Sequence, residues 1–209
     1  INTLLLIGFA PLIAKIATKM VPDKGEDDEE FRLKYINTGI FSTSELATMQ
    51  AQKEILNFGN RIEKMYTFIG SMLTETKSKK YYKLLSKIEK YEQITDNLEQ
   101  EIADYLTKIS EGEISHVSSI KIRAMLKIID DMESVGDSIF QLSKVIDNMK
   151  QMKLEFTKDQ LASLASMAEI IDSAFVEMNK NLEDDFSSME IEGANSIEIM
   201  INNKRVIRR

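Results

Sequence analysis

Apolar residues recur at helical spacing over most of this chain, and little in the sequence interrupts them. Ile55, Ile62, Met65 and Ile69 are separated by three, four or seven residues, which places them on one face of an α-helix. The 209 residues include two prolines and eight glycines, and 29% are charged, a composition that favours long helices. No segment sustains the alternation of a strand. The pattern therefore predicts an all-α fold.

Capping signals divide the helical region. Ser42 and Glu45 have the spacing of a capping box, as do Thr157 and Gln160, and each pair predicts the start of a helix. Gly112 is a stop signal. Together with the periodicity, these signals predict one helix of about 30 residues from near residue 42 and further helices over about 79–109, 118–149, 157–183 and from 187 onward. His116, the single histidine, falls in a predicted loop.

The first residues differ in character from the rest. Leu4–Ala14 is nearly unbroken apolar sequence and is followed by lysines, the pattern of the end of a membrane segment and its cytoplasmic flank. A buried terminal helix is the alternative. Glu26–Glu30 is a run of five acids, which is typical of a solvated linker. We therefore predict a truncated membrane segment or juxtamembrane helix over 1–22, an acidic linker over 23–40 and a helical domain over 41–209.

Two carboxylate-rich segments lie in the second and third predicted helices. Glu92 and Asp96 share one helix face with Glu89, and Glu133 and Asp137 share another, because residues three and four apart stack on a helix. Carboxylates on neighbouring helices can supply oxygen ligands to a metal ion, although two solvated acidic faces are the alternative. The site would be at the surface, because the predicted core residues of the third helix lie mostly away from the acidic face; they are Met125, Ile128, Met132, Val135, Ile139 and Leu142. In the first helix, Leu46 and Met49 also have core-like helical spacing.

Several classes of function find no support. The chain has no cysteine, which excludes a disulfide, a thiolate metal site and a cysteine nucleophile. It also lacks a Walker loop, a dinucleotide fingerprint and a Ser/His/Asp set, so we do not expect an enzyme. The net charge is −7, with a basic cluster at residues 204–209, and nucleic-acid binding would need a broader basic stripe.

These motifs resemble those of the PhoU family of phosphate-regulatory helical proteins. Glu92–Asp96 is similar to the family's Glu-x-x-x-Asp motif, and Asp131–Asp137 is similar to its Asp-Leu-Glu-Arg-Ile-Gly-Asp-like motif, with Ser134 in place of the arginine. The resemblance implies an antiparallel helix bundle with one complete three-helix repeat over 41–150 and a partial second repeat over 157–209, where Glu198 and Asn202 replace the first motif. It also implies that a divalent or ferric ion binds Glu92, Asp96, Asp131, Glu133 and Asp137, with Asp130 and Glu89 flanking.

The order of the segments resembles the C-terminal part of bacterial sodium/phosphate cotransporters. An apolar segment, an acidic run, Phe31–Asn37 and Glu45–Ile55 follow one another. The resemblance implies a regulatory domain at the cytoplasmic face of the bacterial inner membrane. It would modulate phosphate uptake through the membrane domain of the same transporter, associate with itself and contact the membrane through residues 1–20. The alternatives are a stand-alone PhoU-like metal-binding phosphate-signalling protein and a structural helical dimerisation module.

Overall fold

Five α-helices make up most of residues 33–36, 43–183 and 191–207, the residues that this computed structural model describes. No strand occurs among them, so the prediction of an all-α fold is confirmed. The predicted membrane segment, most of the acidic linker, Ser42 and Ser187 lie outside the described residues. The helices are α1 Ser44–Thr74, α2 Ser78–Ser110, α3 His116–Gln151, α4 Lys158–Glu183 and α5 Ile191–Ile207.

Local capping explains where α3 and α4 begin. The Thr157 N–H donates to Gln160 Oε1 at 2.9 Å and the Gln160 N–H donates to Thr157 Oγ1 at 3.3 Å, which forms the predicted capping box. Ser115 caps α3 by accepting from the Ser118 N–H. The loop position predicted for His116 is therefore wrong, because this cap makes it the first residue of α3.

The signals predicted for the start of α1 and for the end of α2 act differently from the prediction. The N-cap residue of α1 is Thr43, whose side chain makes no capping hydrogen bond. The C-cap residue of α2 is Glu111 in a right-handed conformation. Gly112 has no positive φ, and its N–H donates to the Ile109 carbonyl at 3.3 Å. α2 thus ends in a right-handed turn rather than on a left-handed glycine.

Helices α1, α2 and α3 pack against one another in a three-helix bundle. The buried positions of α3 are spaced alternately by four and three residues, the spacing of a coiled-coil seam. They are Ser118, Ile122, Met125, Ile129, Met132, Gly136, Ile139, Ser143 and Ile146. Met65, Met125 and Met132, which the sequence analysis places on the apolar helix faces, are buried, and so is Met72.

The predicted core face of two helices is partly wrong. Val135 and Leu142 of α3 are more than 40% exposed, and so are Leu46 and Met49 of α1. In α3, the small residues Gly136 and Ser143 are buried instead. Close helix approach favours small side chains at the interface, so the buried face turns away from the bulkier apolar residues.

α4 lies on the outside of the bundle against α1, and among the described helices α5 contacts α4 alone. Gly59 of α1 makes this approach close: a Cβ built on it would lie 3.1 Å from both Asn179 Oδ1 and Leu182 Cδ1. Phe175 of α4 is buried against the Tyr66 ring, with 5.4 Å between centroids. No described helix is both long and apolar enough to cross a membrane.

A short segment before α1 is attached to the core by a buried carboxylate. Glu54 is fully buried, and its Oε2 accepts the backbone N–H groups of Lys34 and Tyr35, both at 2.8 Å. Asn57 Nδ2 donates to Oε1 at 2.9 Å. Ile36 is buried in the same core. The hydrogen bonds compensate the cost of burying the charge.

Candidate functional site

The two acidic motifs meet where α2 and α3 approach closely. The position that a Cβ would take on Gly136 lies 3.5 Å from Thr95 Oγ1, and both residues are buried. The Thr95 hydroxyl donates to the Glu92 carbonyl at 2.8 Å, so its polar group is satisfied. Each motif thus contributes a small buried residue that lets the helices pack, and the neighbouring carboxylates flank this contact.

Three of the predicted ligand residues converge at this contact. One carboxylate oxygen from each of Glu92, Asp96 and Asp137 lies within 4.8 Å of the others. Glu92 and Asp96 are one turn apart on α2, and Asp137 faces them from α3. Glu92 is half-buried, whereas Asp96 and Asp137 are exposed. We call these three residues the acidic cluster, and its position at the surface agrees with the sequence analysis.

The electrostatics of the acidic cluster favour a positive charge. Burial raises the pKa of Glu92, the negative charges of Asp96 and Asp137 raise it further, and Lys144 opposes the shift. The pKa of Asp96 is raised by burial and then by Asp137. Burial also raises the pKa of Glu133, with Asp137 and Asp96 as the next causes. Carboxylates that repel one another in this way are stabilised by a bound cation.

The remaining predicted residues lie around the acidic cluster or turn away from it. Asp131 and Asp130 both bind Lys127, at 2.6 and 3.2 Å, on the exposed side of α3. Glu89 binds Lys144 at 2.7 Å. The structure therefore brings Glu92, Asp96 and Asp137 together, places Glu133 beside them and pairs the other three with lysines.

The positions that depart from the family pattern are also resolved. Ser134, which stands where the PhoU motif has arginine, is exposed on α3. Glu198 and Asn202 are exposed on α5. No carboxylate cluster forms around them among the described residues.

The donor set of the acidic cluster fits an oxygen-coordinated cation. Magnesium, manganese, calcium and ferric ions accept carboxylate oxygens from facing helices. No histidine or thiolate joins the set, so the chemistry points to a hard ion. Because two of the three side chains are exposed, water has access to complete the coordination shell.

Sequence reasoning missed Glu54, although a signal was present. Glu54 lies three residues after Ala51 and four before Phe58, and both are fully buried. A charged residue at such a core position indicates either a break in the helix face or a buried, fully hydrogen-bonded charge. The structure shows the second.

A groove of about 720 Å³ lies between the first half of α1, the start of α3 and the end of α4. Met49, Gln52, Val117 and Leu182 are among its lining residues. It shares no residue with the acidic cluster. Its presence explains why Met49, which has core-like spacing, is exposed.

Comparison with known protein families gives a match within the three-helix bundle. The PhoU domain family matches residues 55–146. This range begins within α1, ends near the end of α3 and includes both acidic motifs. Residues 55–146 of the chain therefore match the PhoU domain, as the motifs predicted.

Among curated proteins, the chain is similar to the "Putative inorganic phosphate export protein YjbB" of Salmonella typhimurium, with 21% identity over 169 residues. The alignment covers 80% of this chain and 30% of the relative, so the chain corresponds to less than a third of that protein. No solved structure matches the chain.

Proposed function

We propose that this chain is the regulatory domain of a phosphate transporter and performs no chemistry of its own. The observation that carries the proposal is the PhoU match, which covers most of the three-helix bundle and both acidic motifs. The relative named for phosphate export supports a link to phosphate movement across a membrane. The order of segments before the bundle, which resembles that of sodium/phosphate cotransporters, supports a sodium-dependent transporter and a position at the cytoplasmic face of the membrane.

The attachment of the segment before α1 supports a mechanical connection to what precedes it. Glu54 holds the backbone of Lys34 and Tyr35, and Ile36 packs into the core. A force on the preceding chain would therefore reach α1 directly. In this proposal the bundle docks on the membrane domain and biases its conformational equilibrium, which requires different contacts in the two transporter states.

Cation binding at the acidic cluster is the second component of the proposal. A cation would offset the repulsion among Glu92, Asp96 and Asp137 and would hold α2 against α3. The test is the metal content of the purified chain and its melting temperature with added Mg²⁺, Mn²⁺, Ca²⁺ or Fe³⁺. A ligand at 100 times its dissociation constant stabilises the fold by about 2.7 kcal/mol.

The matched variants separate the site from general acidity. Glu92→Gln/Asp96→Asn/Asp137→Asn should abolish the metal-dependent shift, whereas Asp130→Asn/Asp131→Asn, which removes two paired charges outside the cluster, should keep it. An equal shift in all three proteins would mean that the metal binds elsewhere. No metal and no shift would leave the cluster as a solvated face.

The regulatory role is tested in cells. The gene is expressed intact or with residues 40–209 deleted, and the uptake and efflux of radiolabelled phosphate are followed at several sodium concentrations. We expect altered transport kinetics with unchanged membrane insertion. Unchanged kinetics would refute the regulatory role. Unchanged kinetics combined with bound metal would favour the stand-alone metal-binding protein, and intact self-association without metal would favour the dimerisation module.

A further inference from the structure

One end of the three-helix bundle is positively charged although the chain as a whole is acidic. It consists of the turn between α1 and α2 and the turn between α3 and α4, and we call residues 73–83 and 149–158 the basic tip. Lys150 joins the two turns: its Nζ donates to the Glu75 carbonyl at 3.3 Å and lies 3.6 Å from the centroid of the Tyr81 ring. The basic tip is therefore one continuous surface.

The charge of the basic tip is concentrated on exposed side chains. Its two segments contain seven lysines and two glutamates, a net charge of +5 in a chain whose net charge is −7. Lys77, Lys79, Lys80 and Lys153 are all exposed. Of the two acids, Glu75 accepts the backbone N–H of Lys77 at 2.8 Å. That hydrogen bond turns its carboxylate toward its own turn.

Apolar side chains stand exposed among these lysines. Met152 is 70% exposed, Leu154 is 56% exposed and Tyr82 is 53% exposed. Amphipathic side chains that combine lysine heads with aliphatic and tyrosine groups suit the boundary between lipid headgroups and acyl chains. A surface that bound only a nucleic-acid backbone would gain little from exposed methionine and leucine side chains.

Backbone hydrogen bonds fix the turn after α3, which carries two of these apolar side chains. The Leu154 N–H donates to the Met149 carbonyl at 2.9 Å, and the Lys153 N–H donates to the Lys150 carbonyl at 3.0 Å, the pattern of a Schellman motif. Lys153 occupies its left-handed position with a φ of 57°, where glycine is the usual residue. The chain thus carries a lysine where glycine would be less strained.

We propose that the basic tip binds the surface of an anionic lipid bilayer. The lysines would pair with lipid phosphates while Met152, Leu154 and Tyr82 enter the headgroup region. Juxtamembrane lysines gain affinity from anionic lipid and lose it as salt screens the charges. This inference does not depend on the proposed regulatory role, because the surface is complete in this chain.

The test is co-sedimentation of the full chain with vesicles of phosphatidylcholine, alone or mixed with phosphatidylglycerol. We expect binding to the mixed vesicles that falls as salt is raised. Each lysine near an anionic surface changes affinity by about fivefold. Removal of four lysines should therefore weaken partitioning at least about tenfold, even where other basic segments contribute. The tip variant is Lys77→Gln/Lys79→Gln/Lys80→Gln/Lys153→Gln.

A control variant carries the same charge change elsewhere: Lys53→Gln/Lys108→Gln/Lys121→Gln/Arg123→Gln. It should bind mixed vesicles nearly as the unmodified chain does, and circular dichroism checks the fold of both variants. Should the quadruple tip variant not fold, Lys79→Gln/Lys80→Gln replaces it, because it leaves the N-cap residue Lys77 and the left-handed Lys153 unchanged. Met152→Ser/Leu154→Ser should weaken binding without changing its salt dependence.

Three results would overturn the proposal. The first is equal binding to neutral and mixed vesicles, which would exclude recognition of anionic lipid. The second is equal loss, or no loss, in the tip and control variants, which would assign binding to residues outside the basic tip. An acidic partner protein that binds the unmodified chain, with no vesicle binding, would likewise refute a lipid surface.

Discussion

Replacement of Glu54 should release the segment before α1 while leaving the helices formed. The fully buried carboxylate accepts the N–H groups of Lys34 and Tyr35 and the amide of Asn57. In Glu54→Ala all three donors lose their acceptor, and a cavity replaces the side chain. In Glu54→Gln one oxygen remains for the two backbone donors, and the Asn57 amide can rotate to accept from the new amide.

The expected magnitudes follow from these contacts. Hydrogen bonds to a charged group contribute about 1.5–3 kcal/mol each, but water partly replaces the carboxylate once Lys34 and Tyr35 detach. We therefore expect Glu54→Ala to lower the free energy of unfolding by about 2–4 kcal/mol and Glu54→Gln by about 1 kcal/mol. The control is Glu101→Ala, an exposed position in α2, which should stay within about 0.5 kcal/mol of the unmodified chain.

Denaturant unfolding measures the loss of stability, and amide hydrogen exchange locates it. The amide protons of Lys34 and Tyr35 should be protected in the unmodified chain and in Glu54→Gln, and should exchange freely in Glu54→Ala. If Glu54→Ala unfolds at the same denaturant concentration and keeps both amides protected, the carboxylate does not hold the segment and the reasoning is wrong.

Three other contacts give tests. Because burial and acidic neighbours raise the pKa of Glu92, its protonation favours the folded state, and this contribution is lost as pH rises through the raised value. Without metal, Glu92→Gln should raise the free energy of unfolding by about 1 kcal/mol near pH 7, because it relieves Coulomb repulsion over about 5 Å. Near pH 4 the same substitution should raise it little. Thermal melts at both pH values check this. Gly59→Leu should lower the free energy of unfolding by about 1–3 kcal/mol by overpacking against α4. Gly70→Leu should not, because no atom of another element lies within 4 Å of its Cβ position; denaturant midpoints compare the two variants. Lys153→Gly should stabilise by about 0.5–1 kcal/mol, because it relieves the left-handed backbone; a lower melting temperature would contradict this.

Short-range chemistry made the start of α4 predictable. The capping box of Thr157 and Gln160 depends on residues three apart, and it forms as the sequence predicts. The long periodic stretches likewise predicted the helices, because a proline-free segment with one apolar face at helical spacing has no competing local structure.

The rotation of each helix about its axis was harder to predict. Val135 and Leu142 have core-like spacing, yet Gly136 and Ser143 are buried, because α2 and α3 approach closely and small residues suit the interface. That rotation also decides which carboxylates converge, so Asp137 joins the acidic cluster and Asp131 pairs with Lys127. The burial of Glu54 depends on a segment about 20 residues away in sequence, which no local pattern encodes.

The placement of α4 divides the molecule into parts of unequal resistance to unfolding. Among its described residues, Phe175 and Leu182 are the buried ones, whereas α3 buries nine. Local opening costs least where few apolar contacts are lost. A small equilibrium population should therefore have α4 and α5 detached as a pair, with the first three helices still folded. In that population the Gly59 face of α1 is uncovered, and its accessibility is set by the opening equilibrium of α4.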